Sequence, residues 1–148
     1  MQSVHLATDQ SIPRPRYVWL AVAIELLTAI TAIPVGLMLM SDPSGGGIQL
    51  PPEWIEATPF GSYLIPGMYL FTMNGLGMLL AAVLTQIRHW SAPWLTGFLA
   101  VGLIVWILVQ LAVMPEIMWL QPVFLGAGIV LGFIALFWLR ATGQMSLW

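Results

Sequence analysis

Four long apolar runs, separated by short polar breaks, dominate the chain. They cover about residues 17–40, 62–87, 93–114 and 119–140. Roughly 20 apolar residues are needed to cross a hydrocarbon core of about 30 Å, so each run predicts one transmembrane helix. The predicted fold class is therefore an all-α membrane protein, with four transmembrane helices in an up-down bundle. Residues 41–61 form the one long connection. Residues 1–16 and 141–148 read as tails, the first flexible and with a solvated His5, the second resting on the membrane surface.

Polar and small positions inside the runs predict which way each helix faces. In the first run, Ala21, Glu25, Thr28, Ala32 and Gly36 share one helical face, opposite Leu26, Ile30, Ile33 and Leu37. Small residues let helices approach closely, and hydroxyls can bond across the contact. An acid at membrane depth costs a few kcal/mol, so Glu25 is expected to face protein or a water-filled cavity. An ionised carboxylate there would lack a countercharge, which predicts a neutral acid. Pro34 removes the bond to the Ile30 carbonyl and predicts a kink.

The second run places Asn74 near mid-membrane and repeats small residues at Gly77, Ala81 and Thr85. The third offers Thr96, Ala100, Leu103, Trp106 and Gln110 as its inward face. Tryptophan prefers the membrane interface. Trp106 falls well inside a span, as packing or as the wall of a ligand pocket. In the fourth run Gln121, Leu125, Gly128, Gly132 and Ala135 recur at helical spacing. Gly128 and Gly132 make a GxxxG pair, a close-packing signal.

At a rise of about 1.5 Å per residue, Glu25 and Asn74 lie roughly 12 and 20 Å above the same end of their helices. Thr28 fills part of the gap, which makes a Glu25–Thr28–Asn74 cluster feasible. Gln110 and Gln121 belong to a second polar level, near Trp119. In the long connection, Asp42-Pro43-Ser44-Gly45-Gly46-Gly47 predicts a turn and a flexible run. Pro51-Pro52-Glu53-Trp54-Ile55-Glu56 predicts a short helix whose Trp54 and Ile55 dip into the interface. That connection reads either as a lid or partner surface, or as a passive tether.

Composition narrows the class further. The chain is 59% hydrophobic and only 7% charged, against about 25% charged in soluble domains. So few charges cannot cover a water-facing surface, which makes the lipid bilayer the first expected partner. Cysteine is absent, which excludes thiol redox centres, cysteine-ligated metals and disulfides. The absence of any basic stripe argues against nucleic acid. His89 has no neighbouring ligands, so no metal site is indicated, and no cofactor motif is present. Ser41, Ser44, Ser62 and Ser91 have no base beside them in the sequence, and the spans hold no paired acid and base.

The basic residues are Arg14, Arg16, Arg88 and Arg140, and alternate spans put all four at one end of the bundle. Asp42, Glu53, Glu56 and Glu116 fall at the other. The positive-inside rule then predicts cytoplasmic N- and C-termini and an external loop 41–61.

Several fragments carry a resemblance. Asp42-Pro43-Ser44-Gly45, Thr58-Pro59-Phe60, Leu64-Ile65-Pro66-Gly67, Asn74-Gly75 and Trp119-Leu120-Gln121-Pro122 resemble a set of uncharacterised bacterial four-helix integral membrane proteins, broadly DoxX-like. The resemblance implies a four-helix bundle in a bacterial cytoplasmic membrane and supplies no substrate or active site. Ala23-Ile24-Glu25 is similar to the first helix of small multidrug-resistance transporters, which implies a proton and drug site at Glu25 alone. The long loop departs from that compact pattern.

These features lead to two expectations. One is a non-enzymatic accessory or interaction subunit, partnered by another membrane protein or a second copy. The other is a small transporter or lipophilic-ligand binder using Glu25, Thr28, Asn74, Trp106, Gln110 and Gln121, with Gly77, Gly128 and Gly132 packing the helices.

Overall fold

The computed structural model describes residues 11–146. His5 with the rest of 1–10, and residues 147–148, lie outside the described residues. Four helices are long and apolar enough to cross a membrane: Val18–Ser41, Leu64–Gln86, Ala92–Val113 and Leu120–Ala141. They are referred to below as the first to fourth helices. Apolar residues run all round each of them. Leu27, Ile30, Phe98, Val101, Phe133 and Phe137 all remain exposed on the outside of the bundle. Such a surface suits a hydrocarbon solvent, as in an integral membrane protein.

The first helix packs on the second, the second on the third, the third on the fourth and the fourth on the first. That order is a square up-down bundle, with the first and third helices on a diagonal. Both described ends of the chain and the 87–91 turn share one end, called here the terminal end. Residues 42–63 cap the opposite, loop end.

The tightest approach is between the first two helices. A Cβ on Gly36 would sit 2.7 Å from the Phe71 backbone nitrogen and 2.9 Å from the Gly67 carbonyl oxygen. A Cβ on Gly67 would sit 2.7 Å from Leu39 Cβ. Here the two backbones touch with no side chain between them. The first helix continues through Pro34 without a break.

The second helix is not uniform. Leu70–Gly77 winds as a π-helix, flanked by α-helical Leu64–Tyr69 and Met78–Gln86. Such segments are rare and recur at functional sites. The Thr72 hydroxyl donates to the Met68 carbonyl at 2.7 Å. Asn74 lies within this widened segment, buried.

Two expectations change here. Residues 11–16 are pinned to the terminal end and do not behave as a free tail. The Ile12 N–H donates to the Arg88 carbonyl at 3.0 Å. The indole N–H of fully buried Trp138 donates to the Pro13 carbonyl at 2.9 Å. Arg14 reaches the carbonyls of Thr85 and Gln86, at 3.4 Å each, and its guanidinium sits 4.4 Å from the Trp19 ring centroid. The cause is local. A buried indole needs an acceptor, and the last carbonyls of the second helix favour a cation.

The glycine run after Asp42 is likewise ordered. Asp42 accepts from the Ser44 hydroxyl and N–H at 2.6 and 3.2 Å, and from the Gly47 N–H at 3.0 Å. These bonds hold the carboxyl of Asp42 below its ordinary pKa, the Ser44 hydroxyl contributing most. Gly45 has φ of 81°, and a Cβ there would meet the Tyr63 ring at 2.7 Å.

Candidate functional site: a cavity beneath the loop

The loop folds back over the bundle. Pro52–Glu56 forms the short helix, with Pro51 extended before it. Tyr63 ties the loop's two halves together: its N–H donates to the Pro43 carbonyl at 2.9 Å and its hydroxyl to the Pro51 carbonyl at 3.0 Å. Burial, reinforced by the Glu53 charge, pushes the Tyr63 phenol above its ordinary pKa. The hydroxyl therefore stays a donor across the neutral range. Ile55 and Tyr63 are buried with Leu39 in a small apolar cluster of their own, separate from the main bundle core.

Between this roof and the main core lies a cavity of about 360 Å³. Ile55, Phe60 and Tyr63 belong to its roof, and Leu39, Leu103 and Ile107 to its walls. Of the other lining residues, Thr31 is exposed on the first helix, and Met118 and Leu120 are exposed at the start of the fourth. The cavity therefore opens between those two neighbouring helices. Its volume lies in the range of small-molecule sites, about 300–1,000 Å³.

Five of the six expected site residues line this one space: Thr28, Asn74, Trp106, Gln110 and Gln121. The two polar levels anticipated from helical depth are thus joined by a single cavity. Gln121 is already engaged. Its Oε1 accepts from the Met118 N–H at 3.1 Å, and its Nε2 lies 3.4 Å from Met114 Sδ. The amides of Asn74 and Gln110 bond to no described residue. Trp106 lines the space, but its indole nitrogen is buried off the cavity surface, with no partner among the described residues. Tyr69 stacks on Trp106 with ring centroids 4.7 Å apart and an interplanar angle of 17°. The Tyr69 hydroxyl donates to the Gly102 carbonyl at 2.8 Å, so the stacked pair is anchored to the third helix.

Glu25 is elsewhere. It is fully buried on the first helix and does not line the cavity. Its Oε1 accepts from the Thr96 hydroxyl at 2.7 Å, across the bundle diagonal. Its Oε2 is buried with no partner among the described residues. The Glu25–Thr28–Asn74 cluster that depth alone allowed therefore separates. Thr28 and Asn74 face the cavity, while Glu25 points across to the third helix one turn nearer the terminal end. Among the described residues, no group of three His, Asp or Glu side chains converges as a metal site.

The glycines sit at helix contacts of unequal closeness. A Cβ on Gly77 would meet Leu99 Cδ2 at 2.9 Å, and one on Gly128 would meet Ile104 Cγ1 at 2.8 Å. At Gly132 the nearest neighbour, Ala100 Cβ, is at an ordinary 3.9 Å. Only the first member of the GxxxG pair is thus a close contact within the bundle.

Sequence reasoning missed the π-helical segment, the Tyr63 tie and the Trp106–Tyr69 stack, and it gave Ser91 no base, whereas His89 Nδ1 lies 2.7 Å from the Ser91 hydroxyl oxygen. Thr96 stood on the expected inward face of the third helix, but nothing in the sequence paired it with Glu25. No family model, curated protein or solved structure matches this chain. The functional reading therefore rests on the geometry above.

Proposed function

We propose that the chain is a non-enzymatic membrane protein that binds a lipophilic ligand in the cavity beneath its loop. One observation carries this reading: an apolar-walled space is lined by the amides of Asn74 and Gln110, which bond to no described residue. Leaving a buried polar group unpaired costs about 1–3 kcal/mol. A ligand that supplies the missing partners recovers part of that cost. The mouth between the first and fourth helices would admit such a ligand from the bilayer itself.

The accessory-subunit reading drew on the outer loop as a partner surface and on the tight helix faces. Ile55 and Tyr63 are instead turned toward the bundle, and this favours the binder. Glu25 is not required for this function, because it lies outside the lining. The arginine distribution supports cytoplasmic termini, with the cavity in the external half, and the resemblance supports a bacterial cytoplasmic membrane.

The test uses purified protein in mild detergent. Sixteen-carbon apolar probes, hexadecane or 1-hexadecanol, should raise the melting temperature of the native chain. Val113→Trp, which fills the lining, should abolish the rise. Ile30→Trp, on the exposed face of the first helix, should keep it. A native chain indifferent to both probes would sink the reading.

A further inference from the structure

Among the described residues, the cavity lining contains no Asp, Glu, Lys, Arg or His. A charged group buried there would find no counter-ion, and unpaired burial of charge is far costlier than burial of a neutral dipole. The polar groups left without partners are instead neutral, and they lie at different depths. At about 1.5 Å per residue, Gln110 lies roughly 5 Å from the loop end of its helix. On the same scale Trp106 lies roughly 10 Å and Asn74 roughly 15 Å below the loop ends of theirs. Asn74 thus marks the inner part of the space, in the π-helical segment of the second helix. The Asn74 amide can both donate and accept a hydrogen bond.

The opening completes the picture. It lies between the first helix and the start of the fourth, where Thr31 and Leu120 form an exposed rim. A chain longer than the cavity can leave by that route into the surrounding hydrocarbon.

We infer that the cavity selects an uncharged, single-chain lipid whose head both donates and accepts hydrogen bonds. The head lies inward at Asn74, and the chain exits between the first and fourth helices. This assignment rests on the lipophilic-binder reading and adds the chemistry of the head group. Gln121 is not part of the head site, because Met118 and Met114 already occupy its amide. Glu25 lies beyond the lining, turned toward Thr96, and supplies no charge to the head.

Four probes with one chain length separate the claims: hexadecane, 1-hexadecanol, palmitate and hexadecylamine. Each is titrated into the detergent-purified full chain at about pH 8, with occupancy read by native mass spectrometry. The expected order puts 1-hexadecanol about tenfold above hexadecane, a difference of about 1.4 kcal/mol. Both charged probes should fall below 1-hexadecanol. Asn74→Leu should reduce the preference for the alcohol while leaving hexadecane binding intact. Retained hexadecane binding also reports that the variant is folded.

Equal binding of hexadecane and 1-hexadecanol overturns head recognition and leaves the binder reading standing. Tightest binding of palmitate or hexadecylamine overturns the neutral head and also leaves the binder standing. Full alcohol preference in Asn74→Leu overturns the placement at Asn74. Binding of none of the four probes removes the binder reading and this assignment together.

Discussion

The bond between Glu25 and Thr96 sets up an asymmetric pair of substitutions. Thr96→Val removes the one hydroxyl that satisfies the buried acid and leaves both carboxyl oxygens without partners. Glu25→Leu removes the acid together with its already unpartnered Oε2 and fills similar space with hydrocarbon. The Thr96 hydroxyl, once released, can turn to the carbonyl four residues earlier on its own helix. Thr85 already does this at 2.8 Å to Ala81, and Thr142 at 3.0 Å to Trp138. The carboxyl has no such local escape. Thr96→Val should therefore destabilise the protein more than Glu25→Leu, although it is the smaller change. Interhelical bonds in membranes contribute about 0.6 kcal/mol on average, with a maximum near 1.7 kcal/mol. Because Thr96→Val strands a buried acid, its cost should lie toward the top of that range. The double variant should be no less stable than Thr96→Val alone. Glu25→Gln should be mild, since its amide oxygen still accepts from Thr96. Reversible unfolding in mixed detergent micelles measures all four proteins in one cycle. Single effects that add to within about 0.3–0.5 kcal/mol, or a silent Thr96→Val, would show that the pair is not coupled.

Other sites give sharper structural tests. Gly36→Ala pushes a Cβ onto the Phe71 backbone, so it should cost about 1–3 kcal/mol. Gly126→Ala, which meets nothing within 4 Å, should change stability by less than about 0.5 kcal/mol in the same unfolding assay. The lowered pKa of Asp42 means that its folded carboxylate binds a proton less readily than the unfolded one. Its contribution is thus present above the ordinary Asp pKa of about 3.9 and lost as pH falls through the lower folded value. The melting-temperature gap between native protein and Asp42→Ala should be constant at neutral pH and close in acid; a gap that persists would refute the sign. Orientation is tested by single cysteines in this cysteine-free chain. In intact cells a membrane-impermeant thiol reagent should label Glu53→Cys and spare Trp90→Cys, and the opposite pattern overturns the assigned topology.

The bundle was legible because apolar run length carries nearly all the information that a spanning helix needs. All four helices start and stop within two residues of the runs read from sequence. Polar breaks end a span whatever the neighbouring helices do. Tertiary satisfaction was not legible. Nothing local in Pro13 announces that its carbonyl will meet the Trp138 indole, 125 positions away. Likewise, the glycines after Asp42 read as flexible because composition does not report the hydrogen bonds that fold them.

The same contrast explains why the site's members were easier to find than its connections. In hydrocarbon, a polar side chain facing lipid has no water to bond. A polar residue of an apolar helix therefore turns inward unless, like Thr31 and Thr72, its hydroxyl bonds a carbonyl of its own helix. Thr28, Asn74, Trp106, Gln110, Gln121 and Glu25 all qualified on that ground. Helical depth orders such residues along the bundle axis but says nothing about position around it. Glu25 and Thr28 are neighbours on one face, yet only Thr28 lines the cavity, because the third helix brings Thr96 across the diagonal to the acid. The π-helical segment acts in the same hidden way. It alters the winding through Asn74. Depth and facing thus follow from the cost of burying polar groups in lipid. Which of those groups are left for a ligand follows only from the partners that packing supplies.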